Sequence, residues 1–346
     1  MGGRVVWRRG LGYAAHVMAE PRSVIIVGNF EGLHLGHQAL FARARRIADQ
    51  RDAQVVARVF SRHPIAELRP HQAPAIVMHQ QQKAEALQAV GVNRIDWLEP
   101  TPQLLNLTPR AFVEQTVTMH NAVAMVEGAN FRFGHRRAGN TAELIALGEA
   151  LDFEVVIVDL VPVALTDKLM ARSSSTLVRW LISHGRVADA AVCLGRPWVM
   201  RGRVIAGDQR GRTLGSPTAN LDTAAQMLPA DAVYARNCDI DGACYLAAIS
   251  VGTRPTFGGG DRTCEVFVLD YEGDLYGRTL DVRMLRWLRE QRPFVDAHAL
   301  GKQIAHDVAT IRDLRRVGLL NPATGRTQAT AGLEASACAG ERSQAP

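Results

Sequence analysis

Lysine is nearly missing from this 346-residue chain. Only Lys83, Lys168 and Lys302 stand among 40 basic side chains, and the other 37 are arginine. None of the three sits in a Gly-Lys-Ser/Thr motif, so a Walker-type phosphate loop is excluded. Cysteine is sparse too. The five residues (Cys193, Cys238, Cys244, Cys264 and Cys338) are odd in number and include no C-x-x-C, which argues against a disulfide framework and against a zinc site. They read as small buried or incidental thiols. No apolar run approaches the roughly 18 residues of a membrane-spanning helix, so no membrane partner is expected. No block of Lys/Arg stands out either. The net charge of +6 and the pI near 9.4 therefore suit phosphate-bearing small molecules better than nucleic acid. Residues 1–21 carry Arg4, Arg8 and Arg9 before a short, weakly apolar stretch with His16, a poor signal peptide. Regular patterning begins after Arg22, which makes Met18 an alternative start. A cytoplasmic protein, monomeric or a weak homo-oligomer, is the expectation.

What is present is a globular composition, with 47% hydrophobic and 21% charged residues. At roughly 150 residues per domain, the length predicts two domains. From Ser23 to about Arg196, apolar runs at Val24–Phe30, Gln54–Phe60, Arg94–Leu98, Ala122–Glu127 and Phe153–Leu160 alternate with helical periodicity. The helices are expected near Gly36–Gln50, Gln80–Val90, Pro109–Met119, Thr141–Ala150 and Ser174–His184. Doubly buried strands alternating with helices predict a parallel α/β sheet, with its ligand crevice at the strands' carboxyl ends. Beyond Gly195 the pattern changes to short strand-like segments at Trp198–Gly207, Ala243–Gly252, Thr263–Asp270 and Thr279–Leu288, which predict an antiparallel barrel or sandwich. A closing helix from about Asp296, its N-cap, to Arg316 presents Leu300, Ile304, Val308 and Ile311 on one face. The division is therefore a 1–22 extension, domains at 23–194 and 195–320, and a disordered 321–346 tail.

The first domain carries one group of chemical residues. Gly28-Asn29-Phe30-Glu31-Gly32-Leu33-His34-Leu35-Gly36-His37 leaves a buried strand, turns on glycines and enters a helix. Gly28 and Phe30 lie where the backbone meets a phosphate, and His34 and His37 can face an anion held by the helix N-terminus and steady charge on a phosphoryl group in transfer. Ser174, Ser175 and Thr176 open a helix, with Arg179 on the same face as Ser175. Such a cluster caps a helix, and it can also hold β- and γ-phosphates. After the Ala122–Glu127 strand, Asn130 can hydrogen-bond a ligand and Phe131 and Phe133 can pack on a flat ring, although core packing is the commoner role for each phenylalanine taken singly. His63, before Pro64, reads as a loop residue.

The second domain carries another. Gly207, Gly211 and Gly215 allow close approach to phosphates, and Thr218 and Asn220 are neutral oxygen donors suited to Mg²⁺ beside a nucleotide. An ordinary β-turn loop accounts for the same glycines. Glu265 interrupts an apolar strand and suits a general base for a hydroxyl nucleophile; an outward-facing Glu on an alternating strand fits the pattern as well.

Assembled in this order, the motifs resemble those of the bifunctional bacterial riboflavin kinase/FAD synthetase family, from about Val24 to about Arg316. GNFEGLHLGH is similar to its adenylyltransferase signature, GANFRFGHRRAGN to its flavin-side segment and SSTLVR to its phosphate-binding helix start. LGRPW, GRVIAGDQRGRTLGSPTANL and VGTRPTFGGGDRTCEVFVLDYEGDLYG are similar to its kinase module. The resemblance implies a Rossmann-like nucleotidyltransferase domain followed by a riboflavin kinase β-barrel with a C-terminal helix. It implies phosphorylation of riboflavin to FMN and adenylylation of FMN to FAD, with ATP, riboflavin and FMN as substrates and Mg²⁺ as cofactor. His34, His37, Asn130, Ser174, Ser175, Thr176 and Arg179 would serve the adenylyl transfer, Phe131 the flavin, Thr218 and Asn220 Mg-ATP in the kinase, and Glu265 would be the kinase base. The chain departs from the family at Glu31 (usually Asp), Leu35 (often basic) and Ser216 (usually Phe). A riboflavin kinase with a degenerate first domain is the alternative.

Overall fold

The computed structural model describes residues 20–206, 218–253 and 262–320. Gly207, Gly211, Gly215, Ser216, Cys338, the 1–19 segment and the 321–346 tail lie outside the described residues.

Five parallel strands form the first sheet: β1 (Ser23–Gly28), β2 (Gln54–Phe60), β3 (Arg94–Leu98), β4 (Ala122–Gly128) and β5 (Glu154–Val158), in the order β3-β2-β1-β4-β5. Apolar alternation fills both faces. Val24 and Ile26 pack under α1 (Leu35–Gln50) with Phe41 and Ile47, while Ile25 and Val27 pack on the other face with Phe112 of α5 (Pro109–His120) and Leu144 of α6 (Thr141–Leu151). Leu87 of α3 (Gln80–Ala89) joins the α1 face and Leu104 of α4 (Pro102–Leu105) the opposite one, while the short α2 (Pro64–Leu68) has no buried residue. Chain order reverses between β1 and β4, so the ligand crevice expected of such a sheet opens there.

A hairpin of β6 (Pro162–Ala164) and β7 (Met170–Arg172) follows, then α7 (Ser175–Ser183) and α8 (Val187–Leu194). The second half is a closed barrel, β10-β11-β12-β9-β8-β13, made of β8 (Trp198–Ile205), β9 (Ala219–Asp222), β10 (Ala232–Ile240), β11 (Ala243–Thr253), β12 (Arg262–Val268) and β13 (Thr279–Arg289). Closure removes the exposed edges that a sandwich would keep. The expected strands are present. β9 and β10 escape the pattern because one has four residues and the other carries Arg236, Asn237 and Asp239 in its middle. The Asp296 side chain accepts the Ala299 N–H at 2.7 Å and caps α9 (Ala297–Arg316). Only part of that helix's expected stripe is covered: Ile311 is fully buried, whereas Leu300 and Ile304 are half-buried. A buried Asp307 takes the Arg289 guanidinium in a fork instead. Cys193, Cys238 and Cys264 are buried free thiols, and Cys244 is exposed.

Two buried ionisable groups stand out. Arg236 points into the barrel, on the parity of Tyr234 and Cys238, and among the described residues none of its three guanidinium nitrogens has a hydrogen-bond partner. Burial pulls it down to about 10, which corresponds to about 3 kcal/mol against folding with the charge in place. Arg236→Met should therefore raise the urea midpoint by an amount equivalent to about 1–3 kcal/mol. Glu127, at the β1/β4 crevice, is buried and accepts the Val27 N–H at 2.8 Å. Burial raises it well above the usual carboxylate range, so the folded state retains a proton that the unfolded chain releases. That contribution to stability is present below the unfolded pKa and is lost as pH rises towards the folded one. In Glu127→Gln, unfolding curves should lose less stability between pH 5 and pH 8 than those of the parent chain.

Candidate active sites

After β1 the backbone makes a forced turn. Phe30 (φ 47°), Gly32 (φ 74°) and Leu33 (φ 43°) are all left-handed, a conformation that costs non-glycine residues roughly 1–3 kcal/mol each. The turn delivers His34 to the N-cap of α1 and His37 to its first turn. Their rings stack at 3.6 Å, and among the described residues both buried Nδ1 atoms have no hydrogen-bond partner. Gly36 leaves room between them: a Cβ there would lie 3.0 Å from the His34 ring and would push it aside. Burial, then Arg179 and Arg196, lower His34 to about 4. Burial, then His34 and Lys83, lower His37 well below the usual histidine range. Both imidazoles are thus neutral at pH 7, beside the free N–H groups of a 16-residue helix. That arrangement receives an anion.

The other predicted residues converge on this turn to different degrees. Ser174 caps α7 by accepting the Leu177 N–H at 3.2 Å, and the Ser175 hydroxyl donates to the Glu31 carbonyl at 3.0 Å. Thr176 lies beside them in the first turn of α7. Arg179 donates from Nε to the Ala75 carbonyl at 2.7 Å and lies close enough to lower His34. Phe30 is buried against Phe41 and His37, so only its backbone can meet a phosphate. Gly28 ends β1, with Phe30 closing over it. At the end of β4, Asn130 is exposed, and half-buried Phe131 stacks at 5.3 Å on Phe133, which belongs to the core.

Sequence reasoning left out the residues that hold the turn. The buried Glu31 carboxylate meets Lys83 Nζ at 2.6 Å and accepts the Val77 N–H at 2.9 Å, so both oxygens of this departure from the family are used. Arg196 donates to the Gly32 and Leu33 carbonyls. His63 caps α2 by accepting the Ile65 N–H, and it lies within reach of the charges of Arg179, Glu31 and Lys83. Lys83, one of three lysines, was the available signal; Glu31 stood out only as a departure from the resembled pattern, and nothing local tied Arg196 to the turn.

On the barrel, Cys264, Val266 and Val268 point inward, and Glu265 therefore points out. Register sets it between Asn220 of β9 and Ser250 of β11 on the outer face, with Thr218 two residues ahead of Asn220. Ser250 in turn accepts from Gln291 Nε2 at 2.6 Å. The outward alternative for Glu265 is the observed orientation, yet the residue is half-buried beside a buried Asn220.

Comparison with known proteins follows the same division. The family described as FAD synthetase matches residues 17–173, and that described as riboflavin kinase matches residues 194–315. Proteins named bifunctional riboflavin kinase/FMN adenylyltransferase are similar over most of the chain. The one from Pseudomonas fluorescens is 36% identical, covering 84% of this chain and 92% of its own. That from Escherichia coli K12 is 32% identical (87% and 94%), and that from Listeria monocytogenes 31% (82% and 90%). A crystal structure described as a macrolide-efflux protein from Streptococcus pneumoniae superposes with a TM-score of 0.77 at 32% identity, covering 84% of this chain and 94% of its own. Among the described residues, no helix is long and apolar enough to cross a membrane.

Removing one partner from the Glu31–Lys83 pair leaves a buried charge uncompensated. Lys83→Met should cost about 3–5 kcal/mol in urea unfolding, and the double variant Glu31→Gln/Lys83→Met should recover most of that loss.

Proposed function

The chain belongs to the bifunctional riboflavin kinase/FMN adenylyltransferase family, and we propose that its two reactions are divided between the turn after β1 and the outer face of the barrel. The kinase transfers the γ-phosphoryl of ATP to the riboflavin 5′-hydroxyl, giving FMN. The adenylyltransferase then joins the FMN phosphate to the α-phosphorus of a second ATP, releasing pyrophosphate and giving FAD. In this reading residues 23–194 perform the second reaction and residues 195–320 the first.

The stacked, neutral His34–His37 pair at the start of α1 carries the assignment of adenylyl transfer. Neutral imidazole N–H groups donate to the phosphoryl oxygens as charge builds, and the α1 N–H groups and Arg179 hold the rest of the triphosphate. Ser174, Ser175 and Thr176 align the β- and γ-phosphates, while Asn130 and Phe131 receive the flavin. Engagement of both Glu31 oxygens supports an intact first domain over a degenerate one.

On the barrel, Glu265 takes the proton of the riboflavin hydroxyl, and its register partner Asn220, with Thr218, faces the nucleotide. Among the described residues no cluster of three or more His, Cys, Asp or Glu is arranged for a metal. Neutral oxygens such as those of Thr218 and Asn220 suit Mg²⁺ that arrives already bound to ATP, where it would neutralise phosphate charge. The partners are small molecules, and the buried free thiols support a reducing, cytoplasmic setting.

Chromatography of riboflavin, ATP and Mg²⁺ incubated with the purified chain should show FMN followed by FAD. Glu265→Gln should slow FMN formation by about 10²–10⁴-fold and leave conversion of FMN to FAD nearly intact. His34→Ala/His37→Ala should do the reverse. Loss of both activities in either folded variant would overturn the two-site assignment.

A further inference from the structure

Arg196 reaches the adenylyl turn from the segment that joins α8 to the barrel. Its Nη2 donates to the Gly32 carbonyl at 2.9 Å, and its Nη1 donates to the carbonyls of Leu33 and Leu194, each at 3.2 Å. Gln38 Nε2 donates to the same two carbonyls, Leu33 at 2.9 Å and Leu194 at 2.8 Å. Gly32 and Leu33 are left-handed and immediately precede His34. Without external donors, their carbonyls would have to seek partners at a buried turn whose backbone is already strained. A guanidinium suits this task because its fixed fork serves several acceptors at once, which a lysine ammonium does less well. Among the described residues, the hydrogen bonds of Arg196 all go to main-chain carbonyls, so its charge is not cancelled by a carboxylate in contact.

We propose that Arg196 is a positioning residue for adenylyl transfer: it fixes the Gly32–Leu33 peptide planes that set His34, and it keeps a positive charge beside that imidazole. The inference rests on the assignment of His34 and His37 to that reaction. Arg196 is one of the causes that lower His34 to about 4, after burial and Arg179. The charged and titratable groups around the imidazole pair are Arg179 on α7, Lys83 on α3, Glu31 in the turn and Arg196 itself. Glu31 is already committed to Lys83. Removing the Arg196 charge therefore raises the His34 pKa, and the acid limb of adenylyl transfer moves towards neutrality.

The test uses full-length Arg196→Met and Arg196→Lys, with ¹³C-labelled histidine to follow the His34 titration. In Arg196→Met, kcat for FAD formation should fall about 10–100-fold with a smaller change in KM, since an ångström of misplacement carries such a cost. FMN formation should fall by clearly less than FAD formation, because Arg196, although it stands in the LGRPW segment, is not among the residues proposed to act in the kinase. The His34 titration should move up from about 4. Arg196→Lys keeps the charge but loses the fork, so its His34 should titrate near the parent value while kcat remains reduced. Unchanged FAD formation with an unmoved His34 would overturn the proposal, as would a parallel loss of both activities with the melting temperature. Failure of the unsubstituted chain to form FAD would strike the two-site reading instead, and the His34 titration would still decide whether Arg196 governs that imidazole.

Discussion

A carboxylate buried at the end of a parallel strand must be neutralised, and Lys83 does this for Glu31 at 2.6 Å. Much of the rest of the site hangs on that pair. The second Glu31 oxygen takes the Val77 N–H. The carbonyl of the same residue takes Trp198 Nε1 at 2.9 Å and Gln226 Nε2 at 2.8 Å from the barrel. The backbone of Val77 is thus the joint between the turn after β1 and the second half of the chain. Arg201 closes the seam from the side, with a fork to Glu85 and another to Asp281. The length of the glutamate side chain has a physical use here: it spans from the turn to α3 and the Val77 backbone together.

Around His34 the cations are guanidiniums, and Arg179 and Arg196 both donate to main-chain carbonyls. Held that way, they exert a field on the imidazole without forming an ion pair with it. Burial does most of the work of keeping the two rings neutral, and the arginines add to it in the same direction. A neutral pair beside a helix N-terminus offers donors to an anion without carrying charge of its own, so the positive potential comes from groups fixed by the fold.

The sheet was legible because its strands are buried on both faces and its helices are long and periodic. β9 and β10 were not, because a four-residue strand carries too little pattern and Arg236 breaks the apolar alternation of the other. The histidines and hydroxyls assigned to the proposed phosphate path were legible as candidates from the H-x-G-H and Ser/Thr patterns in their strand-turn-helix setting. Lys83, Val77 and Arg196 were not, because each acts on the turn from 44 or more positions away along the chain, through contacts that only the folded topology creates.

Strand parity then explains why the barrel can hold chemistry at all. Inward positions of β12 are Cys264, Val266 and Val268, and those of β13 are Leu280, Val282 and Met284. The interior is a packed core, so it offers a substrate no room. A one-residue slip of β12 would bring Glu265 into that core and push its neighbours out. Register with Asn220 and Ser250 holds Glu265 on the outer face instead, where a carboxylate can exchange a proton. Arg236 marks the contrary case on β10: the same alternation that places Glu265 outside sends a guanidinium inside, where it finds no hydrogen-bond partner among the described residues. The apolar inward positions around it make that charge costly, and the barrel outweighs the cost through packing of those same positions.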